Sequence, residues 1–377
     1  MKVKPGLEQI RKVGSRFKGK KIALLTHRAA YTSDFQHAVD LFIENGLKPK
    51  LLLSPEHGIF SSKADGAMVG REVFKGIEVI SIYDKRERVK EDLLDIEIIF
   101  VDLQDVGVRC YTYISALKDI MKAAGELGIK VVVLDRPNPL GGERVEGPVL
   151  DERYISYVGV APIPFIHGLT IGEMGYLFKD MFKIDVDYEV FKMEGWKRDM
   201  YFDETGLPWI PPSPGLPCFE NALSYPATVF FEGTNISEGR GTTRPFIVFG
   251  APWINSIKLA EELNQKNLPG VYFIPAAFTP CASKYKDEKC EGVELLVFNK
   301  RKFTPIITIV TLFYELFQHY VEEIEWLVSK GNYWVDLLWG GDTFRTHLEA
   351  QAIETLFEEV GKGLDDLKKI AQEVHLY

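Results

Sequence analysis

Five short apolar runs in the first 140 residues constrain the fold more than any other feature of the chain: "KKIALLTH", "KPKLLLSP", "IEVISIY", "IEIIFVDL" and "KVVVLDR". Each is β-branched or leucine-rich. Between several of them lie stretches with helical spacing, "SDFQHAVDLFIENG", "KRERVKEDLL" and "YTYISALKDIMKAAGELG". Near-continuous apolar strands alternating with amphipathic helices imply a parallel sheet covered on both faces. The expected fold class is α/β, with a doubly wound N-terminal domain.

Polar residues follow each run. The first is followed by His27 and Arg28, the second by Glu56 and His57, and the third by Tyr83 and Asp84. The fourth delivers Asp102, Gln104 and Asp105, and the fifth Asp135, Arg136 and Asn138. Ligands of open parallel sheets bind outside the carboxyl ends of the strands. Five strands carrying polar groups to one edge therefore point to a site there.

The stretch "LPWIPPSPGLP", residues 207–217, holds five prolines in eleven residues and cannot enter a sheet interior. The domain boundary is expected just beyond it, giving domains 1–222 and 223–377. In the second, smaller α/β (α+β) domain, strands are expected at "YPATVFFEG", "VYFIPAAF" and "GVELLVFN". Helices are expected at "SIKLAEELNQK", "PIITIVTLFYELFQHYVEEIEWL" and "LEAQAIETLFEEVGKGLDDLKKIAQEV".

Composition narrows the function. A net charge of −9 argues against a nucleic-acid partner. No stretch approaches the ~18 apolar residues of a membrane span. No secretory signal is visible at the start, so the chain as written is expected in the cytoplasm, or outside it if a leader has been removed. None of the four cysteines forms a CxxC pair. The first strand leads into "THRAAYTSD", which lacks the glycines of a dinucleotide turn, and no phosphate-binding G-x-x-x-x-G-K-[ST] loop, HExxH or GxSxG occurs.

Glycosidic bond cleavage is one chemistry these residues could support; it usually needs one protonated carboxyl as acid and a second group as nucleophile, base or charge stabiliser. Glu56 is the leading acid, because an apolar strand and Pro55 precede it. His57 could hold it, and Asp102 and Asp105 lie on the same expected edge. A second polar patch, "FFEGTNISEGRGTTRPF", carries Glu232, Asn235, Glu238, Arg240 and Arg244 among glycines. Arg109, Arg136, Arg240 and Arg244 are candidates for reading a substrate carboxylate bidentately. His167 in "FIHGLTIGE" is a further candidate.

Taken together, "LLSPEHGIF", "VDLQDVGVRCYTYISAL", "VLDRPNPLGGERVEGPVLD", "IPFIHGLTIGE", "PPSPGLP" and "FFEGTNISEGRGTTRPF" resemble the NamZ family of exo-β-N-acetylmuramidases, once catalogued as the domain of unknown function DUF1343. The resemblance implies a Rossmann-like N-terminal domain, a smaller C-terminal domain and a cleft between them. It implies release of N-acetylmuramic acid from the non-reducing end of peptidoglycan-derived oligosaccharides or muropeptides, with no metal or organic cofactor. The family's catalytic glutamate lies in its "PEHG" motif, which carries onto Glu56. The site expected from all this has Glu56, His57, Asp102 and Asp105 as catalytic residues. The substrate contacts expected are His27, Arg109, Tyr111, Arg136, His167, Glu232, Asn235, Glu238 and Arg240. The chain departs from the family pattern at His27, usually Asn, at Gly215, usually Asn, and at Ala227, usually Gly. Two rival readings are a metal-dependent hydrolase using His27, His57, Asp102 and Asp105, and a sugar-binding protein without turnover.

Overall fold

A computed structural model describes residues 2–60, 71–83 and 89–377. Asp84 and the first four residues of "KRERVKEDLL" lie outside the described residues. The seven-stranded sheet is built from β1 (Ile22–Thr26), β2 (Leu51–Ser54), β3 (Arg71–Phe74), β4 (Ile77–Ser81), β5 (Ile98–Asp102), β6 (Lys130–Leu134) and β9 (Tyr188–Phe191). Its order is β3-β4-β2-β1-β5-β6-β9. All pairings are parallel except that of β3 with β4. The six parallel strands, counted among themselves, read 3-2-1-4-5-6, the doubly wound order whose switch point lies between β1 and β5. The N-terminal domain is Rossmann-like α/β.

The alternation of side chains along each strand explains the two-sided burial. Leu24, Leu52, Phe100 and Val132 pack on one face with Val39 and Phe42 of α2 (Ala38–Glu44). Leu25, Leu53, Val101 and Val133 pack on the other with Ile114, Leu117 and Met121 of α4 (Tyr113–Leu127). Short helices α1 (Ile10–Val13) and α3 (Val89–Leu93) precede α2 and α4. Strands β7 (Glu146–Val149) and β8 (Pro164–Ile166) form an antiparallel pair, and α5 (Ile171–Met181) leads into β9.

The C-terminal part has its own antiparallel sheet of β10 (Val248–Ala251), β12 (Cys290–Val297) and β11 (Val271–Phe278), in that spatial order. Its helices are α6 (Phe219–Thr228), α7 (Ser256–Gln265), α8 (Pro305–Tyr320), α9 (Trp334–Trp339), α10 (Thr343–Glu349), α11 (Ile353–Val360) and α12 (Leu364–Glu373). Between α8 and α9 sits a small hairpin, β13 (Val328–Ser329) and β14 (Asn332–Tyr333). No helix among the described residues is long and apolar enough to cross a membrane.

Several elements differ from expectation. "YPATVFFEG" is not a strand: it forms the end of α6 and the 3-10 turn Val229–Gly233. Its β-branched and aromatic content suggested a strand. However, Phe219, Ala222, Leu223, Pro226, Ala227 and Phe230 recur at helical spacing and are buried together. The Cys218 N–H donates to Asn221 Oδ1 at 3.0 Å and starts the helix. The single long C-terminal helix expected is cut into α10, α11 and α12, and Gly363 breaks it at a left-handed φ of +77°.

Candidate active site

The chain turns sharply after β2. His57 and Gly58 both take left-handed φ values, +71° and +75°. The Gly58 N–H donates back to Pro55 O at 3.3 Å. Such a φ is uncommon for a residue other than glycine and marks an imposed turn. Glu56, only 9% exposed, sits at the top of that turn. The Thr112 hydroxyl, one residue before α4, donates to Glu56 Oε2 at 2.8 Å.

Glu56 and His57 line a cleft of about 620 Å³ between the two parts of the chain. From the N-terminal part come also Tyr83, Cys110, Tyr111 and Thr112. From the C-terminal part come Tyr225, Glu232, Arg240 and Phe246. The rim is formed by residues 153 and 155–158 and by the β13–β14 hairpin with Trp334. Burial pushes the Cys110 thiol up to about 12, which makes it a packing group and not a nucleophile at neutral pH. Burial, followed by the neighbouring Tyr113, likewise raises the Tyr111 phenol well above its ordinary value.

Glu232 and Arg240 form one unit. Arg240 Nη2 donates to Glu232 Oε1 at 2.7 Å, and its Nε lies 3.3 Å from Glu238 Oε1. The guanidinium sits over the Phe246 ring, 4.8 Å from its centre. Glu238 is buried behind it and also accepts from Lys284 Nζ at 2.9 Å. Glu238 thus supports Arg240, and it does not line the cleft.

The remaining expected site residues go elsewhere. Arg136 grips Asp102 through Nε to Oδ1 and through Nη2 to Oδ2 at 3.0 Å, and both side chains are buried. His27 bridges the switch point: its Nε2 accepts the Gln104 N–H at 2.9 Å, so the proton sits on Nδ1, 3.4 Å from the Tyr113 hydroxyl. Burial, then the charge of Arg136, holds its pKa well below that of an ordinary imidazole. At the switch point these side chains are thus committed to one another. Asp105 Oδ2 accepts the Gly107 N–H at 2.7 Å and lies 3.5 Å from His167 Nε2.

Arg109 is fully buried and donates to four carbonyls, those of Pro148, Ile163, Leu338 and Trp339, at 2.6–3.0 Å. Burial pushes its pKa down to about 9. It ties the N-terminal part to α9 and does not line the cleft. Asn235 clasps the segment after α8, donating to Glu323 O at 2.7 Å and accepting from the Glu325 N–H at 3.1 Å. The exposed Arg244 pairs with Glu294.

The structure thus brings together Glu56, His57, Tyr111, Glu232 and Arg240. It does not bring His27, Asp102, Asp105, Arg109, Arg136, His167, Asn235 or Glu238 to the cleft wall. The donor set of the metal-hydrolase reading is not gathered either. Among the described residues, the group of possible ligands within 4.8 Å of one another is Glu262, Glu315 and His319, on α7 and α8. Sequence reasoning missed Thr112 and the rim. The hairpin had a signal, because Lys330-Gly331 supplies the two positive φ values, +51° and +84°, of a two-residue turn.

Two family models match the chain in succession: "Exo-beta-N-acetylmuramidase NamZ, N-terminal" over residues 22–220 and "Exo-beta-N-acetylmuramidase NamZ, C-terminal" over 223–377. The peptidoglycan beta-N-acetylmuramidase NamZ of Bacillus subtilis (strain 168) is 42% identical over 365 residues, covering 96% of this chain and 87% of that protein. A DUF1343 family protein from Bacteroides fragilis, known from a crystal structure, superposes with a TM-score of 0.91 at 32% identity, covering 100% of this chain and 99% of that one. A second such protein from the same organism gives 0.76 at 27% identity, with the same coverage.

Proposed function

The chain belongs to the NamZ family, whose members are glycosidases, and from that premise we propose that it releases N-acetylmuramic acid from the non-reducing end of peptidoglycan fragments. In this reading Glu56 is the general acid. It protonates the glycosidic oxygen as the bond to the anomeric carbon breaks. The observation that carries the assignment is a carboxyl 9% exposed, held by a hydroxyl, on the wall of a cleft large enough for a disaccharide.

Glu232, held by Arg240, supplies the second carboxylate of the cleft. The acidic substituent of muramic acid meets Arg240 inside, with Arg153 and Lys330 on the rim. Tyr83 and Tyr157, whose rings approach to 5.4 Å, offer apolar faces to a sugar.

The test is proton NMR of the first-formed product from a synthetic β-linked muramyl-glucosamine disaccharide. Free N-acetylmuramic acid should appear, and its anomeric signal reports the stereochemistry directly. The isomer with glucosamine at the non-reducing end should stay intact. Cleavage of that isomer, or no muramic acid from the first, would overturn the proposal.

A further inference from the structure

Thr112 stands in the position where a helix is normally capped. A threonine just before a helix usually turns its oxygen onto the backbone N–H groups of the first turn. Here it does not. Its backbone is itself near-helical, with φ −67° and ψ −4°, and its side chain makes no capping bond to α4. The hydroxyl instead donates to Glu56 Oε2 at 2.8 Å, across 56 residues of sequence. A helix of fifteen residues gives up a local stabilising bond, and the hydroxyl goes to a carboxyl in the cleft.

We propose that Thr112 is the positioning residue of the cleft acid: its hydroxyl occupies Oε2 and commits Oε1 to carry the proton that is delivered. This rests on the reading of Glu56 as general acid. The turn at His57 and Gly58 sets where the Glu56 backbone lies, and Thr112 sets the last torsion of its side chain. A protonated carboxyl has one O–H to give. With Oε2 accepting from Thr112, the carboxyl cannot rotate its proton away from the glycosidic oxygen without breaking that bond. As the proton leaves, the same hydroxyl stabilises the carboxylate left behind. Thr112 itself exchanges no atom with the substrate.

The experiment compares Thr112→Val, Thr112→Ser and Glu56→Gln on two substrates. One is the muramyl-glucosamine disaccharide, whose leaving sugar must be protonated. The other is an activated aryl muraminide, whose phenolate departs without a proton. Thr112→Val should lower kcat on the disaccharide by on the order of 10- to 100-fold at unchanged KM. On the aryl substrate its loss should stay within about 3-fold. Thr112→Ser keeps the O–H and should restore disaccharide turnover. The melting temperature of the Val variant should match that of the parent, because no cap is lost. Equal losses on both substrates, with a lowered melting temperature, would make Thr112 an ordinary structural residue and overturn the proposal. So would full disaccharide turnover in Thr112→Val while Glu56→Gln is inactive. An active Glu56→Gln would instead remove the reading of Glu56 itself.

Discussion

The β5–β6 side of the sheet edge and the β2–β4 side carry the same kinds of residue and put them to opposite use. After β5 and β6, Asp102 faces Arg136, the Gln104 amide is taken by His27 from the end of β1, and Asp135 accepts from Thr170, Tyr377 and two backbone N–H groups. These groups satisfy one another out of water. After β2 and β4, Glu56, His57 and Tyr83 line the open cleft. A polar residue at a strand end is therefore a weak sign of function by itself. What matters is whether its hydrogen-bonding capacity is taken up by the fold or reaches a cavity a ligand can enter.

The contrast makes opposed predictions, and the largest concerns Glu56. Glu56→Gln should cut turnover of the muramyl disaccharide by on the order of 10²- to 10⁴-fold. Its thermal unfolding should be unchanged, since the amide fills the same space and still accepts from Thr112. Retained turnover would erase the distinction between the two sides.

Arg136→Ala should do the reverse. It strands the buried Asp102 carboxylate, a change that costs about 3–5 kcal/mol. Urea unfolding should show that loss, while kcat per folded molecule stays near the parent value. A stable variant with lost turnover would move Arg136 into the site.

His27 sharpens the comparison through pH. Its folded pKa lies below the unfolded value, so the unfolded chain takes up a proton that the folded chain refuses. Stability should therefore fall as pH drops below about 6.5, by up to about 1.4 kcal/mol per pH unit. His27→Asn should flatten that dependence between about pH 6.5 and 5 in urea titrations. An identical slope in the variant would mean that His27 is not held neutral.

The smallest effect is expected at Tyr377. Its phenol donates to Asp135 Oδ2 at 2.8 Å and accepts the Met193 N–H at 2.8 Å. Burial pushes Asp135 up to about 7, so the carboxyl can take a proton when a donor is lost. Tyr377→Phe should therefore lower stability by only about 1 kcal/mol, read from its unfolding curve, with turnover unaffected.

Much of the sheet was legible because its signals are local. The apolar runs that became β1, β2, β4, β5 and β6 are each four or five residues long and buried along nearly their whole length. The turn at "PEHG" was equally visible as a break after such a run. The end of α6 was misread because "TVFF" has strand composition, whereas its burial follows the helical repeat that begins at Phe219. The rim at 153–158 and the β13–β14 hairpin went unassigned because nothing near either segment says that they meet.

The linear chain by itself determined the strands and helices of the N-terminal sheet, and that polar groups would collect at one edge. Those properties follow from the period of apolar residues and from backbone geometry, which act over a few residues at a time. Only the tertiary structure decided which of those polar groups are sealed into pairs and which face a ligand. Arg109 finds Trp339 across 230 positions, and Thr112 finds Glu56 across 56. The physical reason is that a hydrogen bond is decided by distance and direction in space. Two residues with the same local sequence signal can therefore end with their donors and acceptors fully committed, or held ready for a substrate.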